Sequence, residues 1–146
     1  MIKSTELRIG NWVKDDKDRI GSVHLMTMLN GVYTLHLLPY LSSNHFHKKL
    51  SQLKPIPLSE EILLKAGFKK HGKVVSYLSL NTGLSDGYDD VEALLNWSDF
   101  TEKNEGELLF VFEGKGRWIN ISHIKYLHQL QNLFHALTNT ELTINL

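Results

Sequence analysis

Arg19-Ile20-Gly21-Ser22-Val23-His24-Leu25-Met26-Thr27-Met28-Leu29-Asn30-Gly31-Val32-Tyr33-Thr34-Leu35-His36-Leu37-Leu38-Pro39 places two apolar runs on either side of Asn30-Gly31. Asn and Gly accept the positive φ that both central positions of a type I′ turn require, so the pattern predicts a β-hairpin with a two-residue loop. With that loop, Leu29 faces Val32, Met28 faces Tyr33, Met26 faces Leu35 and His24 faces Leu37. The other face then carries Val23, Leu25, Thr27, Leu29, Val32, Thr34, His36 and Leu38. Both faces are largely apolar, which predicts a hairpin covered on both sides, by the rest of the chain or by a second subunit. Pro39 ends the run.

Upstream, Asn11 to Lys14 reads as a short strand and Asp15-Asp16-Lys17-Asp18 as a turn. Strand, turn, long bent strand and hairpin together predict a small antiparallel SH3-like β barrel over residues 1–55. Downstream, Pro55-Ile56-Pro57-Leu58 is a stiff connector. Ser59 is a natural N-cap, Glu60 and Glu61 suit the positive end of a helix dipole, Lys65 suits the negative end, and Gly67 suits the left-handed stop. Lys73 to Leu80 reads as a strand, Val91 to Trp97 as a short helix, and Leu108 to Phe112 with Arg117 to Ile121 as a second hairpin. Ser122 is expected to cap a long amphipathic helix from about His123 to Thr138. At about 100° per residue Tyr126, Leu127, Leu130, Leu133, Phe134 and Leu137 share one face, while Lys125, His128, Asn132 and His135 share the other. The tail Leu142 to Leu146 reads as an edge strand. The expected class is α+β: an SH3-like barrel over 1–55, then β-hairpins packed on a short and a long helix over 56–146, with one shared core.

The chain has 146 residues, with 16 basic and 16 acidic side chains and no cysteine. That length suits one domain or two very small ones. Zero net charge argues against nucleic-acid binding by bulk electrostatics. Without cysteine there is no disulfide, thiolate nucleophile or cysteine zinc site. The start, MIKSTELRIG, lacks a signal peptide's apolar run and no stretch approaches a membrane span, so a cytoplasmic protein is expected.

Several motifs imitate chemistry. Gly67 to Lys73 has the spacing of a phosphate-binding P-loop, but a helix precedes it, a strand follows it, and Val74 stands where Ser or Thr would hold magnesium. Gly83-Leu84-Ser85-Asp86-Gly87 has the spacing of a nucleophile elbow, yet the chain is too small for the parallel sheet such an elbow needs. Asp86, Asp89, Asp90 and Glu92 lack the spacing of a calcium loop. Of the eight histidines, His45 and His47 fall on one face of a strand. The hairpin register, however, sends His24 and His36 to opposite faces, which speaks against a metal site. No catalytic residue, metal or cofactor is implied.

Two clusters combine stacking surfaces with cations and hydrogen-bond donors. One runs from Tyr40 to Lys49 and offers Tyr40, Asn44, His45, His47 and Lys48. The other is the hairpin tip Lys115-Gly116-Arg117-Trp118. Groups of this kind hold a base by stacking and a phosphate by charge-assisted hydrogen bonds.

Three stretches, Glu6-Leu7-Arg8-Ile9-Gly10-Asn11-Trp12-Val13, Pro55-Ile56-Pro57-Leu58-Ser59-Glu60-Glu61 through Gly67-Phe68, and Lys125 to Leu133 through Thr140-Glu141-Leu142, resemble a family of small uncharacterised proteins from gut anaerobes and their bacteriophages. The resemblance leaves residues 69–107 unmatched and transfers no activity. It implies a phage or mobile-element protein made in a bacterial cytoplasm. The expectation is therefore a non-enzymatic binder of a small anionic, nucleotide-like ligand, acting as a homo-oligomer that sequesters an immune signal. The alternative is an adaptor whose SH3-like part binds a host protein or nucleic acid.

Overall fold

Asn30 (φ 50°) and Gly31 (φ 76°) both take left-handed backbone in a computed structural model that describes residues 2–39, 44–71, 77–85, 92–98, 107–112 and 117–145. The turn between them joins β2 (Ile20–Leu29) to β3 (Val32–Pro39). The fold is α+β with antiparallel strands, in two compact units: Met1–Pro57 with Tyr126–Leu133, and Leu58–Lys125 with Phe134–Leu146. No helix among the described residues is long and apolar enough to cross a membrane.

The first unit is a four-stranded sheet in the order β1 (Trp12–Lys14), β2, β3, β4 (Phe46–Lys49). A 3-10 turn at Leu50–Gln52 follows, and the chain then returns to the first strand. There Lys14 and Lys54 exchange backbone hydrogen bonds of 3.0 and 2.8 Å, curling the sheet into a half-barrel. Its core is Ile2, Leu7, Val13, Val23, Leu35, Leu37 and Leu53, with Met26, Tyr33, Phe46 and Leu50 packed against it.

The hairpin register follows the expected pairs at Leu29–Val32, Met28–Tyr33 and Met26–Leu35, then departs from them. Leu25 pairs with His36 and Val23 with Leu37, so His24 is the extra residue of a β-bulge. An unbroken ladder would put His24 in the core and Val23 in water. Burying Val23 contributes about 1.5–3 kcal/mol, whereas burying an unpartnered imidazole costs about 1–3 kcal/mol. Both terms favour the bulge. Beyond it, the backbones close tightly: a Cβ on Gly21 would stand 3.2 Å from both Leu37 Cβ and Leu38 O. Of the cover expected on both sheet faces, the described part of the chain supplies one side. Leu35 and Leu37 are fully buried, while Leu25, Leu29 and Val32 on the opposite face are exposed.

The turn before β2 is held by charge. Asp15 accepts hydrogen bonds from Lys17 N (2.8 Å), Arg19 N (2.9 Å), Arg19 Nε (2.9 Å) and Arg19 Nη2 (2.7 Å). Burial alone would raise the Asp15 pKa. The Arg19 side chain and the two backbone donors more than reverse this and hold it at about 2.

The helix α2 (Leu127–Thr138) begins four residues later than expected. The Ser122 hydroxyl does not cap it, because its oxygen accepts from Leu108 N at 3.1 Å. Tyr126 N instead donates to Gln129 Oε1 at 3.2 Å, and Leu127 N donates to Ile56 O at 2.9 Å. A second correction concerns the helix's faces. His128 and Gln131 are 1% exposed, although His128 was expected on the polar side. The reason is the segment before β1, whose backbone needs partners. Gln131 Oε1 accepts from Trp12 N (2.9 Å) and its Nε2 donates to Gly10 O (3.1 Å). Asn132 Nδ2 donates to Glu6 O (2.7 Å), and its Oδ1 accepts from Asn11 Nδ2 (3.0 Å) and Arg8 Nη1 (3.3 Å).

The second unit holds a five-stranded antiparallel meander of β5 (Lys69–His71), β6 (Tyr77–Ser85), β7 (Glu92–Ser98), β8 (Glu107–Phe112) and β9 (Arg117–Asn120). The helix α1 (Glu60–Lys65) starts and stops as its sequence predicts. Ser59 Oγ accepts from Ile62 N at 3.3 Å, Gly67 has φ 87°, and Phe68 N donates to Leu63 O at 3.0 Å. The helix expected over Val91 to Trp97 is instead strand β7. Leu95 and Trp97 alternate with less buried neighbours, and each stands between apolar partners, Leu80 and Phe110 for one, Leu78 and Leu108 for the other. The strand expected over 73–80 is found at 77–80, as the first part of β6, with 72–76 outside the described residues; β5 was not expected. The tail is not a strand where it is described. Leu142 and Ile144 are buried, and Asn145 N donates to Lys65 O at 2.9 Å.

Replacing Gln131 by Ala removes the side-chain partner of two part-buried backbone groups, Trp12 N and Gly10 O. We expect a loss of about 2 kcal/mol in urea unfolding, with faster amide exchange at Trp12 than in the parent protein.

Candidate functional site

The bulge rearranges the histidines. His24 leaves the core face for the face that carries His36, correcting the expectation that the two point apart. His36 stands directly opposite His47 across β3 and β4, with ring centroids 4.0 Å apart. His24 meets His45 at 5.1 Å. These four rings share one electrostatic neighbourhood. The pKa of His36 is lowered first by desolvation and then by His47, His45 and His24. Through its ring, none of the four makes a hydrogen bond or ion pair with another described residue. As the rings stand, no three described His, Asp or Glu side chains are grouped to enclose a metal ion.

The other members of the first cluster separate. Tyr40 lies outside the described residues, and Asn44 and His45 are exposed just before β4. Lys48 faces away from His47, because successive residues of a strand point to opposite sides. Its side chain is 11% exposed, with the ammonium 3.5 Å from Asp15 Oδ2 and hydrogen-bonded to Asp16 Oδ1. The Asp16 hydrogen bond, with help from Asp15, raises the Lys48 pKa above the usual lysine value. Any anion at Lys48 must therefore compete with two carboxylates. Arg19 completes this corner, its guanidinium 4.3 Å from the centre of the Phe46 ring.

In the second cluster Lys115 lies outside the described residues. Arg117 and Trp118 are both exposed on β9, an edge strand of the meander, Trp118 at 62%. Ile119 beside it is exposed as well.

The decoy motifs lose their geometry. Ser85 sits in β6 itself, laddered to Glu92 of β7. The ladder is irregular between Asn81 and Ser85, where Gly83 has φ 70° and its N–H donates to Asn81 Oδ1 at 2.7 Å. Ser85 therefore stands within the ladder, at the end of a bulge. Gly67 and Phe68 close helix α1, Lys69 to His71 form β5, and Gly72 and Lys73, with the acidic residues Asp86, Asp89 and Asp90, lie outside the described residues.

Sequence reasoning missed His128. Its ring is stacked on Tyr126 (5.9 Å between centroids, 8° between planes), and neither nitrogen has a hydrogen-bond partner. The nearest charge is Glu6 Oε2, 4.0 Å from Nε2. Desolvation lowers the His128 pKa, and Glu6 opposes this only in part. The four-residue step to Asn132, which clips the same helix face to Glu6 O, was the available signal.

Compared with protein-family models, with curated proteins and with solved structures, the chain finds no match.

A histidine whose folded pKa lies below its unfolded value of about 6.5 binds a proton more weakly in the native state. Its contribution is therefore complete above about pH 6.5 and is lost as the pH falls toward the folded pKa. We expect stability to decline from pH 7 to pH 5, and His128→Leu, which replaces two unpartnered nitrogens with apolar carbon, to flatten that decline in parallel denaturant titrations.

Proposed function

We propose that the protein is a non-enzymatic binding protein that captures a small anionic, nucleotide-like ligand, acting as a homo-oligomer in a bacterial cytoplasm to sequester an immune signal. The observation that carries this reading is the exposed Trp118 beside the exposed Arg117 on an edge strand. A tryptophan held out in water keeps an apolar face available for stacking, and Arg117, which leaves this edge strand on the opposite face, would bring its fork of donors to a phosphate by reaching round the free edge. The resemblance to phage-associated proteins supports the sequestering role. Neutral net charge is compatible with it, because the recognition is local.

The exposed hairpin face favours a second reading, the adaptor. Here the first unit is an SH3-like module, supported by its meander, the 3-10 turn and the return of Lys54 to Lys14. Leu25, Leu29 and Val32 would form its contact with a host protein.

The two readings separate in native mass spectrometry of the purified protein with cyclic oligonucleotides and ADP-ribose derivatives. Ligand capture predicts an oligomer carrying an intact ligand mass, with binding weakened at least tenfold by Trp118→Ala or Arg117→Glu. A monomer that ignores the panel contradicts capture and favours the adaptor.

A further inference from the structure

We propose that His36 and His47 form a surface chelate for a divalent first-row transition-metal ion, Cu2+, Ni2+ or Zn2+, with His45 and His24 beside it as further imidazole donors. The two residues are directly opposite in the β3–β4 ladder. Opposed residues of antiparallel strands have Cβ atoms about 4.5–5.5 Å apart, so both rings can turn toward one point above the sheet.

The spacing fits coordination. Two imidazoles bound to one ion at about 2.0–2.1 Å have centroids about 4.5 Å apart at a right-angled N–metal–N, and about 5.2 Å apart at a tetrahedral one. The observed separations are 4.0 Å for His36–His47 and 5.1 Å for His24–His45. Seating an ion between the first pair moves its centroids apart by about 0.5 Å at a right angle and about 1.2 Å at a tetrahedral one, together with a change in the 56° between its planes. No hydrogen bond or ion pair to another described residue holds these rings against that movement.

A two-imidazole chelate needs no third protein ligand already in place. Water completes the coordination, in keeping with the lack of any enclosed three-ligand group among the described residues. The donor set selects the ion. Imidazole suits Zn2+, Ni2+ and Cu2+, while Mg2+ and Ca2+ require carboxylate or carbonyl oxygen. Among the favoured three, Cu2+ binds tightest. The β3–β4 register sets the pair, the bulge adds His24 to this face, and the alternation turns Lys48 away from it. It goes beyond the ligand-capture reading and stands or falls separately from it.

The test is calorimetric titration of the full, tag-free chain with CuCl2, NiCl2 and ZnCl2 at pH 7.5. We expect one ion per chain, tightest for Cu2+, with the affinity reduced at least tenfold in His36→Gln and in His47→Gln and lost in the double variant. Trp118→Ala and His123→Gln should bind as the parent does. Copper electron paramagnetic resonance should show histidine nitrogen in the equatorial plane of the parent complex, and that signal should vanish in the double variant. Far-UV circular dichroism of each variant keeps loss of binding distinct from loss of fold; the substituted side chains stand outside the core, so matched spectra are expected. Absence of binding in the parent, or equal affinity in a folded double variant, would overturn the site.

Discussion

The extra residue at His24 is the constraint on which the rest of the first unit depends. Val23 and Met26 are three positions apart in a strand whose side chains alternate, so an unbroken ladder cannot send both to one face. The chain resolves the conflict by giving up ladder pairing at one residue, at about 1 kcal/mol, and gaining the burial of Val23. Leu35 and Leu37 then close over Val23, and Gly21 allows the two backbones to approach. The same step moves His24 out of the core to the face occupied by His36. One local irregularity therefore sets both what fills the core and what the surface presents.

A second layer of polar contacts fixes the edges of that core. Asp15 gathers four hydrogen bonds at the turn and draws in Lys48, so β4 is tied to the start of β2 by charge as well as by the sheet. Gln131 and Asn132 serve the backbone of residues 6 to 12 in the same way from α2. Asp15 and Gln131 are buried, and a buried polar group is tolerated only when it is satisfied. His128 breaks that pattern, with two unpartnered nitrogens one turn before Asn132, which makes it the acid-sensitive point of this layer.

Much of the local structure was legible in the residues themselves. Asn30-Gly31 and the Ser59-to-Gly67 helix announce themselves because their backbone demands are met by few other residue types. The bulge was hidden because a period-two reading assumes no insertion, although the odd spacing of Val23 and Met26 was visible. The β7 strand was hidden because Val91 to Trp97 is short enough to suit either period, and only the flanking Leu78, Leu80, Leu108 and Phe110 decide between them. The start of α2 was misplaced because Ser122 is a plausible cap whose hydroxyl the adjacent strand claims first. The candidate site was legible as residue types but not as a grouping. His45 and His47 were found together, whereas their neighbours His24 and His36 are joined only through long-range register, and Lys48 is removed by a contact with the distant Asp15 and Asp16.

The most direct test of the bulge is a nuclear Overhauser measurement on protein carrying 13C-labelled histidine. The bulged register predicts ring-to-ring contacts between His24 and His45 and between His36 and His47. Contacts from the His24 ring to the methyl groups of Leu35 and Leu37, with none to His45, would place it in the core and contradict the account.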